Sequence, residues 1–327
     1  MKQENLLEIK DLRIEYTTMD DTYYAVNGVN LQIKRGEALG LVGETGAGKT
    51  TTALGVLGLL PKGIGTIKQG SIEFDGEELT KASKKKMLQY RGKRISMIFQ
   101  DPMTSLNPVI PIGQQIGEIL KLHNDKHLSK AQIEQKVDEM LKLVGIAPER
   151  KYDYPHQFSG GMKQRVVIAI SLACEPELLI ADEPTTALDV TIQAQVLALM
   201  EQLKKEFATA MLLITHDFGI VAETCDRVAV MYAGIIVESG TVEQIFGSER
   251  HHPYTEGLMQ SIPTLDEETE RLIPIPGEVK DPTKQTPGCP FAPRCKYAKE
   301  QCFRILTDEV YYGEHMIRCD RWEGEEN

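Results

Sequence analysis

The segment Gly43-Glu44-Thr45-Gly46-Ala47-Gly48-Lys49-Thr50 fits the pattern G-x-x-x-x-G-K-[ST] and carries the plainest chemistry in the chain. Its glycines let consecutive backbone N–H groups turn inward on a β-phosphate, Lys49 can reach the β- and γ-oxygens, and Thr50 offers a hydroxyl to Mg²⁺. Such a loop needs a second site that holds the metal and activates water. Leu178-Leu179-Ile180-Ala181-Asp182-Glu183 supplies one: an apolar strand delivers Asp182 to its carboxyl end as a metal ligand, with Glu183 beside it as general base. A third element is Ser159-Gly160-Gly161, where Ser159 can cap a helix beginning near Met162. The two glycines would leave that helix N-terminus open to an anion.

These residues must be positioned by an α/β framework. Leu6 to Tyr16 and Val26 to Ile33 read as strands, and the glycine-rich loop separates a strand at Ala38 to Val42 from a helix running to Leu60. A strand, loop and helix in that order open a parallel α/β sheet. Ser71 to Phe74 followed by Asp75-Gly76 predicts a hairpin, and Arg94 to Phe99 a further strand. From Asp101 to His156 the texture becomes helical. Ser129 and Gln132 form a capping box, Ile133, Val137, Met140/Leu141 and Val144 fall on one stripe, and Gly145 stops the helix. Leu178 to Ala181 and Met211 to Thr215 are continuous apolar runs suited to strands buried on both faces. Beyond about His251, prolines at 253, 263, 274, 276, 282, 287, 290 and 293 forbid long helices and central strands, so an irregular module is expected there.

With 327 residues, 41% of them hydrophobic, the chain can bury a sizeable core. A net charge of -11 argues against a nucleic-acid surface, which needs a clustered cationic face, and the basic run Lys81 to Lys86 reads as a solvated face. The N-terminus is polar rather than secretory. The apolar stretches Ala53 to Leu60 and Val166 to Cys174 fall short of the roughly 20 residues a spanning helix requires, so a cytosolic or peripheral protein is expected.

Four of the six cysteines, Cys289, Cys295, Cys302 and Cys319, gather in the C-terminal module with spacing C-x5-C-x6-C-x16-C. This matches neither the paired C-x2-C of zinc ribbons nor the plainest ferredoxin run. Stable disulfides are disfavoured in the cytosol, so the spacing leaves open a tetrathiolate metal site or unliganded thiols. Cys174 and Cys225 read as small packed hydrophobes.

In their order these motifs resemble the ATP-binding cassette (ABC) ATPase family over about residues 6 to 250. Gln100 matches the Q-loop glutamine, Phe158 to Met162 the signature, Thr186-Ala187-Leu188-Asp189 the D-loop and His216 the switch histidine. The resemblance implies a P-loop, RecA-like α/β core with an antiparallel β subdomain and a helical subdomain at about 101–160. It implies that two such subunits pair head to tail, each ATP lying between one phosphate loop and the other signature helix. By that carry-over, Gly43, Glu44, Thr45, Gly46, Ala47, Gly48, Lys49, Thr50, Thr51 and Gln100 bind ATP, with Thr50, Gln100 and Asp182 around Mg²⁺. Glu183 is the base, His216 senses the γ-phosphate, and Ser159, Gly160, Gly161 and Met162, together with Asp189, complete the nucleotide-binding set. Tyr16 suits the place of the adenine-stacking aromatic, with Tyr23 and Tyr24 as competitors. The signature departs from the commonest LSGGQ at Phe158 and Met162 but keeps Ser159, Gly160 and Gly161.

A narrower resemblance is to the oligopeptide/dipeptide importer ATPases. It rests on Ser96 to Pro108, Tyr154 to Met162, Ile180 to Thr191 and, in the tail, Pro287-Gly288-Cys289-Pro290-Phe291-Ala292-Pro293-Arg294-Cys295. It implies an ATPase domain over 1–250 and a C-terminal extension over 251–327 whose four cysteines hold a 4Fe-4S cluster, with Zn²⁺ as the competing metal. It also implies a paralogous ATPase or a second copy as partner and two transmembrane permease subunits. An extracytoplasmic peptide-binding protein would act indirectly, and the chain would lie on the cytoplasmic face of the membrane. Similar importers carry nickel, glutathione or oligosaccharides, and the sequence does not choose among cargoes. A non-transport ABC protein acting on DNA or ribosomes is the rival reading. Such chains carry two cassettes or a long coiled coil, whereas here only 58 residues separate Gln100 from Ser159. A metal-sensing regulator with a vestigial ATPase is a third, disfavoured by the complete catalytic motifs.

Overall fold

The first two strands run Asn5–Thr17 and Thr22–Lys34, longer than the hydrophobic pattern implies, in a computed structural model that describes residues 4–125, 127–186, 188–261 and 274–322. The chain divides into two units, Met1–Ile33 with Ala38–Lys81 and Ile214–Asn327, and Lys34–Glu37 with Ala82–Leu213.

In the first unit, Leu7, Ile9, Leu12 and Ile14 are buried along the opening strand, which lies between Thr22–Lys34 and Gly65–Phe74 in an antiparallel sheet closed by Glu77–Glu78. The hairpin expected at Asp75-Gly76 forms, with φ of 52° and 78° at those positions, the positive pair that a type I′ turn requires. Ala38–Val42, buried throughout, pairs in parallel with Arg227–Tyr232, as a strand covered on both faces should. Arg227–Tyr232 then pairs antiparallel with Ile235–Thr241. The phosphate-loop helix spans Lys49–Leu57 and stops short of the expected Leu60. Gly58 takes a left-handed conformation there, and the bonds Gly58 N–H to Gly55 O and Leu59 N–H to Leu54 O close the end.

The C-terminal module is less irregular than its prolines imply. Past Pro293 it forms the hairpin Val310–Tyr312 and His315–Ile317, and the latter strand pairs with Ile235–Thr241. Prolines exclude strands only where they stand, and the last 30 or so residues have none. Tyr254 and Phe291 from this region lie in one buried cluster with Val42, Val230 and Tyr232. Residue 263, one of the prolines named above, lies outside the described residues.

In the second unit, Ile95–Ile98 pairs in parallel with Leu178–Asp182. The helical segment expected after Asp101 contains Ile112–Leu122 and Lys130–Leu143. Ser129 and Gln132 form the capping box, Ser129 Oγ accepting from Gln132 N–H and Gln132 Oε1 from Ser129 N–H. Ile133, Val137, Met140 and Leu141 are buried, each contributing about 1.5–3 kcal/mol relative to exposure.

Candidate functional site

The phosphate loop is closed by its own lysine. Lys49 Nζ donates to Gly43 O at 2.6 Å and to Glu44 O at 3.0 Å, and the residue is 6% exposed. Gly48 has φ 105°, and a Cβ there would come within 2.3 Å of Ala25 O, so no other residue fits. Thr50 is exposed at the head of the nine-residue helix, and Thr51 Oγ1 accepts from Tyr16 Oη at 3.2 Å. This bond ties the expected adenine-stacking tyrosine to the loop. Tyr24 donates its backbone N–H to Pro282 O. His216, exposed, follows the strand Ala210–Thr215.

Sequence reasoning missed what holds Glu44. Its N–H donates to Tyr254 Oη at 2.8 Å. Its carboxylate accepts from Arg294 through Nη1 at 2.7 Å and Nη2 at 3.1 Å. Arg294 also donates to Pro276 O, Ile275 O and Tyr232 Oη. Burial pushes the Tyr254 hydroxyl pKa up, so it stays protonated. The one sequence signal was an arginine embedded in the Pro290 to Cys295 run.

In the second unit Asp182, 2% exposed, ends its strand. Glu183 sits at φ 47°, a strained value for a side chain of its size. Its Oε2 accepts from Gln100 Nε2 at 3.1 Å and from Thr186 Oγ1 at 2.9 Å. Two expected site residues, Gln100 and Glu183, are therefore in direct contact, with the carboxylate aimed by two donors. Asp189 caps the helix Val190–Phe207 through Ile192 N–H. Ala187, in the expected D-loop, lies outside the described residues.

The signature helix spans Gly160–Leu172, starting two residues before Met162, with Ser159 Oγ accepting from Met162 N–H. A Cβ on Gly161 would come within 2.5 Å of Ile192 Cγ2. The two departures from LSGGQ share one partner. The Arg150 guanidinium lies 4.2 Å from the Phe158 ring centroid and donates to Met162 Sδ.

Cys289, Cys295, Cys302 and Cys319 line one cavity of about 280 Å³, together with Arg318 and Arg321. None of the six cysteines is in a disulfide. Tyr297 N–H donates to Cys295 Sγ and Lys299 N–H to Cys302 Sγ, both at 3.4 Å. Burial raises the Cys289 thiol to about 11 and the Cys319 thiol to about 12, with the other cysteines adding to the shift. A cation would displace those protons. Among the described residues, the group whose ligand atoms converge within 4.8 Å of one another is Glu238, His251 and His315, not three of these sulfurs. Four thiols lining one cavity are a soft donor set of the kind that either zinc or an iron-sulfur centre takes.

Glu238 is fully buried, and its Oε1 accepts from His251 Nδ1 and His315 Nε2, each at 2.8 Å. His251 Nε2 faces Ser248 O at 2.8 Å, so both ring nitrogens meet acceptors and the ring is an imidazolium. Burial alone would raise the Glu238 pKa, but the hydrogen bonds from both histidines hold it at about 2.

Residues 26–186 match a family described as ABC transporter, and residues 237–302 match one described as oligopeptide/dipeptide transporter, C-terminal region. The oligopeptide transport ATP-binding protein AppD of Bacillus subtilis is 50% identical over 98% of both chains. The oligopeptide transport protein OppD of Salmonella typhimurium is 48% identical over 96% of this chain and 93% of its own. Among solved structures, cbiO1 from Clostridium perfringens, part of the ABC transporter complex cbiONQ, superposes with TM-score 0.64 at 31% identity, covering 76% of this chain and 92% of that one. The ATP-binding cassette MJ0796, in a dimeric post-hydrolysis state with ADP and Pi, gives TM-score 0.64 at 25% identity over 72% and 98%.

Proposed function

The chain belongs to the ABC transporter family, in its oligopeptide/dipeptide branch, and from that premise we propose that it is the ATP-hydrolysing subunit of an importer of di- and oligopeptides. The observation that carries the reading is near-50% identity to peptide-transport ATP-binding proteins across almost the whole chain, extension included. ATP binds at the phosphate loop, with Lys49 leaving its two carbonyl partners for the β- and γ-oxygens and the loop N–H groups supplying the remaining donors. Thr50, Gln100 and Asp182 offer hydroxyl, amide and carboxylate oxygens, a hard donor set suited to Mg²⁺, which offsets phosphate charge when bound. Glu183, aimed by Gln100 and Thr186, takes the proton of the attacking water. His216 positions the γ-phosphate, while Ser159, Gly160, Gly161 and Met162 serve the ATP of a partner subunit. Tyr16 lies against adenine.

The chain works with two permease subunits as a peripheral protein on the cytoplasmic face of the membrane, beside a paralogous ATPase. Among the described residues no helix is long and apolar enough to cross a membrane. The four cysteines of the extension hold a 4Fe-4S cluster that cross-links a module otherwise poor in regular structure, a reading supported by the N–H donors to two of the sulfurs and by the one cavity that all four line. A brown anaerobically purified protein with stoichiometric iron and sulfide is expected. A colourless protein with one zinc ion would overturn the assignment.

For the function itself, the chain reconstituted in vesicles with its permease subunits, partner ATPase and binding protein should drive ATP-dependent peptide accumulation that Lys49→Ala abolishes. Accumulation that ignores this substitution would contradict the reading.

A further inference from the structure

Arg294 has a chemical role that ATP hydrolysis by itself does not explain. It directly follows Pro293 and precedes Cys295, yet its guanidinium reaches the second residue of the phosphate loop and makes a two-pronged contact with the Glu44 carboxylate. The Arg294 side chain is 4% exposed and that of Glu44 26%, so water screens the pair only from the carboxylate side. Its remaining donors are held by Ile275 O, Pro276 O and Tyr232 Oη, which fix the planar group in one orientation. A second arm converges on the same residue. Phe291 packs at 5.4 Å from the ring of Tyr254 and 5.3 Å from that of Tyr232, and Tyr254 Oη accepts the Glu44 N–H. Glu44 is thus held at its carboxylate from the cysteine-bearing turn and at its backbone by Tyr254, a helix residue on which that turn packs through Phe291.

That turn is short and cross-tied. Ala292 N–H bonds Cys289 O, Arg294 N–H bonds Phe291 O, Cys295 N–H bonds Ala292 O, and Cys289 N–H bonds Cys302 O. Arg294 is therefore flanked by two of the four thiol-bearing positions, and a change in how Cys289 and Cys295 are held must move it. The paired contact neutralises the Glu44 carboxylate and fixes where the second residue of the phosphate loop stands.

We propose that Arg294 is a positioning residue of the ATP site, through which the four-cysteine module sets the conformation of the phosphate loop. It touches no phosphate and acts through Glu44. The inference rests on the ATP-site reading above and adds a dependence of that site on the extension.

The test is a titration of the purified full-length chain with a fluorescent ATP analogue, with melting temperature recorded in parallel. Arg294→Met should weaken nucleotide affinity about tenfold, on the scale of a lost charge-assisted bidentate pair. Glu44→Gln should weaken it similarly, and the double substitution should cost no more than either alone. Cys295→Ser should also weaken affinity, and adding Arg294→Met to it should bring little further loss. The charge exchange Glu44→Arg with Arg294→Glu should restore part of the affinity, which a merely structural role for Arg294 would not predict. If Arg294→Met proves too unstable to titrate, Glu44→Gln, at a half-buried position, must carry the effect alone. Affinity within twofold of the parent in Glu44→Gln, or full additivity of Cys295→Ser and Arg294→Met, would overturn the inference. Lys49→Ala separates the two claims. If it abolishes binding while Glu44→Gln and Arg294→Met do nothing, only the positioning role falls; if it leaves binding intact, the ATP-site reading falls and takes this inference with it.

Discussion

Gln100, Ser159 and His216, which the motifs mark for nucleotide chemistry, are exposed, while Glu238, on the strand that the C-terminal extension pairs with, and His252 and Tyr254, at the start of that extension, are 0%, 1% and 0% exposed. Three motif residues are held by near neighbours, Ser159 by Met162 N–H, Asp189 by Ile192 N–H and Lys49 by Gly43 and Glu44, while Gln100 reaches Glu183 across 83 residues. The extension is held by distant ones, Glu238 to His315 across 77 residues and Glu44 to Arg294 across 250. Apart from buried Lys49 and Asp182, these ligand-facing groups are accessible, and their short-range tethers let them exchange partners. Groups that must keep a fold in one state are buried and fully paired, because an unpaired one would cost several kcal/mol.

Several substitutions would break or sharpen that contrast. Gly48→Val places a side chain against Ala25 O at a backbone angle it cannot adopt, and ATP affinity should fall more than about a hundredfold in a binding titration while far-UV circular dichroism is retained. Glu238→Gln leaves an imidazolium buried against a neutral amide. It should cost on the order of 3–5 kcal/mol, read as a large drop in melting temperature; a small change would mean the extension is as loosely tied as the motifs.

The same network has a pH signature. Burial works to lower the His251 pKa, but the hydrogen bond and charge of Glu238 raise it above 6.5, so its contribution is complete below pH 6.5 and fades as pH rises through the raised value. Glu238, held at about 2 against an ordinary 4.5, contributes fully above pH 4.5 and loses that contribution as pH falls toward 2. His252, whose N–H bonds Glu238 and whose pKa burial pushes down to about 4, works the other way and loses stability as pH falls from 6.5 toward 4, so melting temperature should peak near pH 6.5, and the slopes due to Glu238 and His251 should flatten in Glu238→Gln. The smallest effect expected is that of Ser159→Ala, which removes one helix cap and should cost about 1 kcal/mol of stability, measured by denaturant titration.

The contrast also explains what could be read from the sequence. The phosphate loop, the Leu178 to Glu183 strand, the Ser129 capping box and the Asp75-Gly76 turn are set by residues within a few positions of one another, and the chain folds there as its pattern dictates. Gly58 ended the phosphate-loop helix earlier than apolar periodicity implied, because a left-handed glycine closes a helix whatever follows it. In the tail, proline density predicted irregular structure and missed the Val310–Tyr312 and His315–Ile317 hairpin, whose partner strand lies some 75 residues upstream. The roles of Arg294 and Tyr254 were illegible for the same reason. Nothing near them in sequence says that their partner is Glu44. The meeting of Phe158 and Met162 at Arg150 was likewise hidden, since the two looked like unrelated departures from a motif.

Hydrolysis of ATP with Glu183 as the base can be checked by equilibrium ATP binding and single-turnover hydrolysis in Glu183→Gln. ATP affinity should stay within about twofold, because the phosphate loop is untouched, while hydrolysis falls by roughly 10²–10⁴-fold, the usual contribution of a general base. Turnover at the parent rate in this variant would contradict the account.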